Sequence, residues 1–268
     1  MQAEIVTIGT ELLLGEIVDT NAAYLSRQLN AIGIDVYYRT TVGDNEARIA
    51  AVIRQALARA DVVITSGGLG PTVDDVTRQG VARATDRELV FVPELWAHIQ
   101  ALFRRWGREA KENNRRQAYI PAGAIPVHNP VGTAPAFIVE TERGTVISLP
   151  GVPREMEYLM EHRILPYLRE RLPDGEAVIK SKILRTCGVG ESTIDRMIED
   201  LMRSPNPTVG LAAHPGQTDV RITAKADTPA QAEAMIAAME AKVRERLGVV
   251  IYGEGQETLE EVVARLLK

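Results

Sequence analysis

Thr65-Ser66-Gly67-Gly68-Leu69-Gly70-Pro71-Thr72-Val73-Asp74-Asp75 brings two chemistries together in one short stretch. A short apolar run, Val62-Val63-Ile64, leads into it, and a helix-compatible segment starts at Val76. Such a strand–glycine turn–helix junction gathers unpaired backbone N–H groups and the positive end of a helix dipole, which together suit a phosphate. The carboxylates of Asp74 and Asp75 would repel a bare phosphate, but they can hold a divalent cation beside it. The glycine spacing is neither the dinucleotide fingerprint nor the P-loop, because no Gly-Lys-Ser/Thr follows. A strand ending in Gly-Gly is often only a tight turn; the acid pair argues for more. A nucleotide or a phosphorylated cofactor is the expected ligand.

Four further polar clusters follow predicted strands. Gly9-Thr10-Glu11 leads towards Asp19-Thr20-Asn21; Asp19, Thr20 or Asn21 can cap the next helix, with Thr20 the expected one, and Glu11 is expected to meet a ligand ribose hydroxyl or a metal-bound water. Val42-Gly43-Asp44 places another carboxylate, and either Asp44 or Asn45 can cap the following helix. Asn129-Pro130-Val131-Gly132-Thr133-Ala134-Pro135 is too rigid and polar for a mere connector. Pro150-Gly151-Val152-Pro153-Arg154-Glu155 repeats the strand–glycine turn–helix pattern, with Glu155 favoured by the helix dipole. Carboxylates at Glu11, Asp44, Asp75 and Glu155 would make an oxygen-donor site of the Mg²⁺ type rather than a zinc site. His98, His128, His162 and His214 have no close ligand spacing, and Cys187 reads as a small core residue. Among the basic residues from Arg104 to Arg116, Arg116 is the first choice for a phosphate contact.

These clusters need a frame, and the hydrophobic pattern supplies one. Apolar strands at Ile5–Ile8, Val36–Tyr38, Val62–Ile64, Ala136–Val139 and Thr145–Leu149 alternate with amphipathic helices. One helix buries Leu25, Leu29 and Ile32 before Gly33; another buries Ile49, Val52, Ile53, Ala56 and Leu57. A third starts near Pro93 with Leu95, Trp96, Ile99, Leu102, Phe103 and Trp106 on its inner face, and a fourth carries Met156, Leu159, Met160 and Leu165. Repeated β-then-α units imply an α/β fold, a mostly parallel sheet covered on both faces. Ligands bind such sheets at the carboxyl ends of the strands.

Near Leu172-Pro173-Asp174-Gly175 the pattern changes. A strand at Ala177–Arg185, a helix at Thr193–Met202, a hairpin of Val209–Ala212 with Val220–Ala224, a helix opened by Thr228-Pro229, and a strand at Val249–Tyr252 make a small α+β block. The expected domains are 1–172, 176–253, and a remainder, 254–268, whose amphipathic helix reads as the start of a domain that is cut off. The chain has 268 residues, a net charge of −5 and one cysteine. The acidic balance disfavours a general nucleic-acid surface, and a lone cysteine excludes an internal disulfide. No apolar run approaches the ~20 residues that span a bilayer, and the start lacks a basic n-region. A cytoplasmic protein is expected.

The motifs Gly9-Thr10-Glu11-Leu12-Leu13-Leu14-Gly15 with Asp19-Thr20-Asn21, the glycine loop with Asp74-Asp75, Asn129 with Gly132-Thr133-Ala134-Pro135, and Leu149-Pro150-Gly151-Val152-Pro153 with Glu155-Met156 together resemble the competence/damage-inducible CinA family. The resemblance covers essentially the whole chain; Ala136 departs from it, where a glycine is expected. It implies a three-layer molybdopterin-binding-like domain followed by a small KH-like domain. It further implies metal-dependent hydrolysis of a nucleotide diphosphate such as ADP-ribose, giving AMP and ribose 5-phosphate. The family's C-terminal nicotinamide-nucleotide amidase activity is not expected here, since its active-site motif is absent. On this reading the amides of Ser66, Gly67, Gly68, Leu69 and Gly70 hold a phosphate. Asp75, with Asp44 or Glu155, serves catalysis and holds Mg²⁺, Co²⁺ or Mn²⁺. Thr10, Glu11, Asp19, Asn21, Asp74, Arg116, Asn129, Gly132, Thr133, Gly151 and Pro153 complete the ligand contacts. The alternative is a binding module for a pterin phosphate without catalysis. A nucleic-acid role is disfavoured because Gly188-Val189-Gly190 lacks the Gly-x-x-Gly clamp of KH domains; interaction, as a homodimer, is the expected role of that block.

Overall fold

The computed structural model describes residues 1–172 and 178–267. The expected break at Pro173–Gly175, the first residue of the Ala177 strand and Lys268 lie outside those residues. Two compact units emerge, one built from Met1–Asn30 with Ile34–Leu172, the other holding the described residues from Val178 on.

In the first unit, β1 (Gln2–Ile8) is buried from Ala3 onwards, as a strand covered on both faces must be. A short turn of helix, α1 (Thr10–Leu13), precedes α2 (Thr20–Ala31), which buries Ala22, Leu25 and Leu29 and stops before Gly33. Then follow β2 (Asp35–Val42), α3 (Glu46–Leu57), β3 (Val62–Ser66) and α4 (Thr77–Ala84). The cap of α3 is Asn45, whose side chain accepts the Arg48 N–H. The cap of α2 falls on Asp19, which accepts the Ala22 N–H, and not on the expected Thr20.

Beyond α4 come β4 (Leu89–Phe91), α5 (Pro93–Arg105), α6 (Glu112–Arg115), β5 (Tyr119–Pro121), β6 (Ile125–Val127), β7 (Ala136–Thr141), β8 (Gly144–Leu149), α7 (Pro153–Leu159) and α8 (Leu165–Arg169). The sequence pattern misses β4, β5 and β6 because each is only three residues long, too short to show a period. It also overextends α5: Trp106 lies past the helix end and is half exposed, against Phe103. A wider π-type turn at Met160–Ile164 joins α7 to α8. Pro166 explains it, since proline has no N–H for the His162 carbonyl one turn back and its ring crowds that carbonyl.

The central sheet has the order β2-β1-β3-β8-β7-β6; β2, β1, β3 and β8 pair in parallel, and β7 alone runs the other way, antiparallel to both β8 and β6. Its register decides where a site can form. Thr7 of β1 lies beside Ser66 of β3, and Ser66 beside Leu149 of β8, so these three strands end level. The chain continues from those ends as Gly9, Gly67 and Pro150-Gly151. Strand order reverses at β1 and β3, the crevice where doubly wound sheets take ligands.

The second unit contains β9 (Val178–Cys187), α9 (Glu191–Met202), β10 (Thr208–His214), β11 (Gln217–Ala226), α10 (Pro229–Leu247), β12 (Ile251–Glu254) and α11 (Leu259–Leu266). Its antiparallel sheet runs β10-β11-β9-β12. Leu184, Val220, Ile222 and Ala224 point to one face and join Ile194, Ile198, Ile236 and Val243 in the core. Thr228 caps α10, accepting the Gln231 N–H. The last strand starts later than the expected Val249, which is fully exposed in a 3₁₀ turn. On α11 only Val262 is buried, while Val263 and Leu266 face solvent. Among the described residues no helix is long and apolar enough to cross a membrane.

Candidate functional site

A cleft of about 320 Å³ opens at the level ends of β1, β3 and β8. Glu11, Asp19, Asn21, Ser66, Gly67, Gly68, Gly70, Asp75, Gly151, Pro153 and Glu155 all line it. Leu12, Ile17, Val18 and Val152 add an apolar rim that the sequence pattern does not single out.

The glycine loop forms the floor. Leu69, almost fully buried in the main core, anchors it. Gly67 and Gly68 have φ of +111° and +64°. A Cβ on Gly67 would stand 2.1 Å from the Ile8 carbonyl oxygen, and one on Gly68 would stand 2.2 Å from Thr77 Oγ1. No side chain fits either place. Thr77 clamps the loop from the start of α4: its hydroxyl donates to the Gly67 carbonyl at 2.8 Å and its N–H to the Gly68 carbonyl at 3.2 Å. The loop carbonyls are thus turned to the protein. The N–H groups of Gly68 and Leu69 donate to no acceptor among the described residues.

Asp75 lines the cleft, yet its carboxylate is engaged by its own loop. Oδ1 accepts the Gly70 N–H and Oδ2 the Thr72 N–H, each at 2.8 Å, and the Thr72 hydroxyl bonds Oδ2 as well. Asp74 is exposed outside the lining. Arg116 does not line the cleft; its guanidinium donates to the Thr72 carbonyl at 2.7 Å and braces the loop from outside.

Glu155, in the first turn of α7, enters from the opposite side. Asn129 is fully buried behind it and donates from Nδ2 to Glu155 Oε2 at 2.6 Å and to the Ala134 carbonyl at 2.9 Å. Asn129 Oδ1 accepts the Val131 N–H, and the Asn129 carbonyl meets His98 Nε2 at 2.9 Å. Asn129 therefore positions Glu155 from behind. Burial pushes the Glu155 carboxyl above its ordinary value, against the opposing hydrogen bond from Asn129 and the charge of Arg154. Gly132 also serves Glu155, since a Cβ there would lie 2.0 Å from the carboxyl carbon. Thr133 is turned away, its hydroxyl accepting from Gln117 Nε2 at 3.3 Å.

Asp44 is not part of this group. Its Oδ2 accepts the Thr10 N–H at 2.8 Å and the Thr10 hydroxyl at 2.7 Å, fastening the β1 loop to the end of β2. Neither Asp44 nor Thr10 lines the cleft. The expected Asp44–Asp75–Glu155 cluster is not assembled, because Asp44 lies outside the cleft, bonded to Thr10. Among the described residues no group of three or more His, Cys, Asp or Glu is placed to hold a metal ion.

Arg78 is the residue that sequence reasoning missed. It is 2 % exposed and lies behind the loop, donating to the carbonyls of Leu69 and Gly70. Burial brings its guanidinium down to about 10 against the attraction of Asp75. A cation in the first turn of a helix is disfavoured by the dipole. That anomaly, three residues after Asp75, is the signal that could have found it.

The cleft's charge is one-sided. Among the described residues four carboxylates line it, Glu11, Asp19, Asp75 and Glu155, and no lysine, arginine or histidine does. A divalent ion of the Mg²⁺ type needs only one or two protein carboxylates when ligand phosphates and water supply the rest. Glu155 and Asp75, both in the lining, could supply that number.

Residues 4–170 match the family described as probable molybdopterin binding domain, and residues 181–253 match the KH domain of the damage-inducible protein CinA. A relative from Halothermothrix orenii, named as a competence-damage inducible protein, is 45% identical over all of this chain and 64% of its own length. A CinA-like protein from Dictyoglomus thermophilum is 44% identical over the same shares of both chains. The crystal structure of a CinA protein of unknown function from Thermoplasma acidophilum shares 38% identity. It has a TM-score of 0.56 and covers 60% of this chain and 94% of its own. The chain spans about 64% of the length of the curated relatives it matches. With both matches in this order along it, the chain belongs to the CinA family.

Proposed function

We propose that the first unit hydrolyses a nucleotide diphosphate such as ADP-ribose, with a divalent cation, to AMP and ribose 5-phosphate. One observation carries the reading: among the described residues the cleft is lined by loop residues with free N–H donors suited to phosphate and by four carboxylates, with no cationic side chain. A diphosphate can enter such a cleft only with a cation that offsets the carboxylates. The Gly68 and Leu69 N–H groups bind one phosphate at the head of α4. Asp75, Thr77 and Arg78 hold that loop in shape, so its donors need no rearrangement when charge develops on phosphate oxygen. Glu155, oriented by Asn129, and Asp75 would hold the ion, which supplies charge neutralisation and acidification of a bound water. Attack of a water oxygen on phosphorus breaks the bridging P–O bond, and one bridging oxygen leaves with its phosphate. The water's proton passes to a carboxylate of the cleft.

ADP-ribose turnover with Mg²⁺, Co²⁺ or Mn²⁺ tests the reading. Wild type is expected to release AMP, and both chelator and Asp75→Ala to abolish release. Activity that survives both treatments would sink the assignment. The match of residues 4–170 to a probable molybdopterin binding domain favours a second reading, a pterin-phosphate binder without turnover. Calorimetric binding of a pterin phosphate, with no release of AMP from ADP-ribose, would establish that reading instead.

A further inference from the structure

Arg78 costs the first unit more than bracing the glycine loop requires. Its guanidinium is 2 % exposed, and no carboxylate pairs with it among the described residues. Asp75 attracts it only from a distance, with its two oxygens given to the Gly70 and Thr72 N–H groups. The charge of Arg116 repels it, and so does the positive end of α4. Nε is buried with no partner at all. A dehydrated cation with no counter-ion and an unmet N–H is unfavourable in a protein interior unless something else offsets the loss.

Holding the loop does not offset it. The bonds that Arg78 makes go to the carbonyls of Leu69 and Gly70. A neutral amide can make such bonds: Gln117, itself fully buried, reaches the same Leu69 carbonyl from Nε2 at 3.5 Å. The shape of the loop calls for donors, not for a charge. Leu69 and Gly70 are part of the cleft's lining, so the charge stands directly behind that lining. In a low-dielectric interior a charge is felt over several ångströms, and salt screens it little.

We propose that Arg78 is a positioning residue for the phosphate: its buried, unpaired charge, acting across the backbone of Leu69 and Gly70, supplies attraction that holds an anion at the loop N–H groups. The inference rests on the phosphate reading above and adds an origin for the attraction, which the carboxylates of the lining oppose and which a divalent ion would reinforce. The anion in turn serves as the counter-ion that no side chain provides, so binding offsets what burying Arg78 costs.

Calorimetry on the whole chain with inorganic phosphate and with AMP, each with Mg²⁺, compares wild type, Arg78→Lys and Arg78→Gln. Lysine keeps the charge; glutamine keeps a donor for the carbonyls and loses the charge. Arg78→Lys is expected to bind both ligands within about threefold of wild type, and Arg78→Gln about tenfold or more weakly. Melts without ligand are expected to place Arg78→Gln no lower than Arg78→Lys, because a neutral amide is the less costly group to bury. Opposite orders of stability and affinity are what a mere brace cannot give. Equal affinity of the two variants overturns the proposal and leaves the phosphate reading standing. Affinities that fall in step with melting temperature show Arg78 to be only a brace, and overturn it too. If either variant fails to fold, the wild type decides alone. Its phosphate affinity is expected to fall by less than about fivefold between about 0.05 and 0.5 M KCl, and a larger loss overturns the proposal. Failure of both ligands to bind wild type removes the phosphate reading itself, and this inference with it.

Discussion

Glu155 shows at the scale of one residue how this site trades stability for chemistry. Its carboxyl is pushed up mainly by burial. An acid whose folded pKa lies above its unfolded value of about 4.3 stabilises the fold fully only below the unfolded value. That contribution is lost as pH rises through the folded value. Glu155→Gln keeps the shape and the Asn129 contact but removes the charge. In chelator, the variant and wild type are therefore expected to melt together near pH 4, with the variant melting higher by a growing margin towards pH 7. Thermal melts across that range check the prediction, and ADP-ribose turnover by the variant is expected to be lost. Glu155 was legible in the sequence as a carboxylate at a helix start. That Asn129 and Gly132 serve it, rather than the ligand directly, was not, because 26 residues separate Asn129 from its partner. Asp44 has the converse explanation: its type suits a metal, but its neighbour in space, Thr10, claims it first.

Among the elements, the glycine loop depends on backbone shape more than on its side chains. At Gly67 an added methyl meets the Ile8 carbonyl oxygen, which is part of the sheet and cannot give way, and φ is +111°. Gly67→Ala is expected to destabilise the first unit by about 2–4 kcal/mol, from steric overlap plus the strained backbone. It is also expected to abolish phosphate binding. Urea denaturation and calorimetry measure the two effects separately. Helices and long strands could be read from apolar spacing, since their period repeats over several turns or pleats. The three-residue strands β4, β5 and β6 could not, and Trp106 followed the helical period one position beyond where the helix stops.

At the scale of the molecule, the cleft belongs to the first unit alone, since every residue that lines it lies between Thr7 and Glu155. Mg²⁺ with AMP at about 100 times its dissociation constant is expected to stabilise that unit by about 2.7 kcal/mol. Hydrogen exchange should then slow in β1, β3, β8 and the loops that follow them. Slowing confined to β9–β12 would place the ligand elsewhere. The second unit was legible in its order of elements because each hairpin and cap has local chemistry: Thr228-Pro229 opens α10, and Pro215-Gly216 turns β10 into β11.

The amino-acid sequence by itself determined the longer elements, their alternation and the types of group that follow each long strand, because periodicity, caps and glycine turns are local properties. It thereby determined that a phosphate-suited loop and several carboxylates would lie at strand ends. Tertiary structure alone decided which of them meet. The shared register of β1, β3 and β8 brings Glu11, Asp19, Asn21, Asp75 and Glu155 to one cleft. The same packing diverts Asp44, Asn129 and Arg116 to bracing and buries Arg78 beneath the loop. Each polar group is taken by the nearest partner that satisfies it, and nearness in a folded chain is set by the sheet, not by position along the sequence.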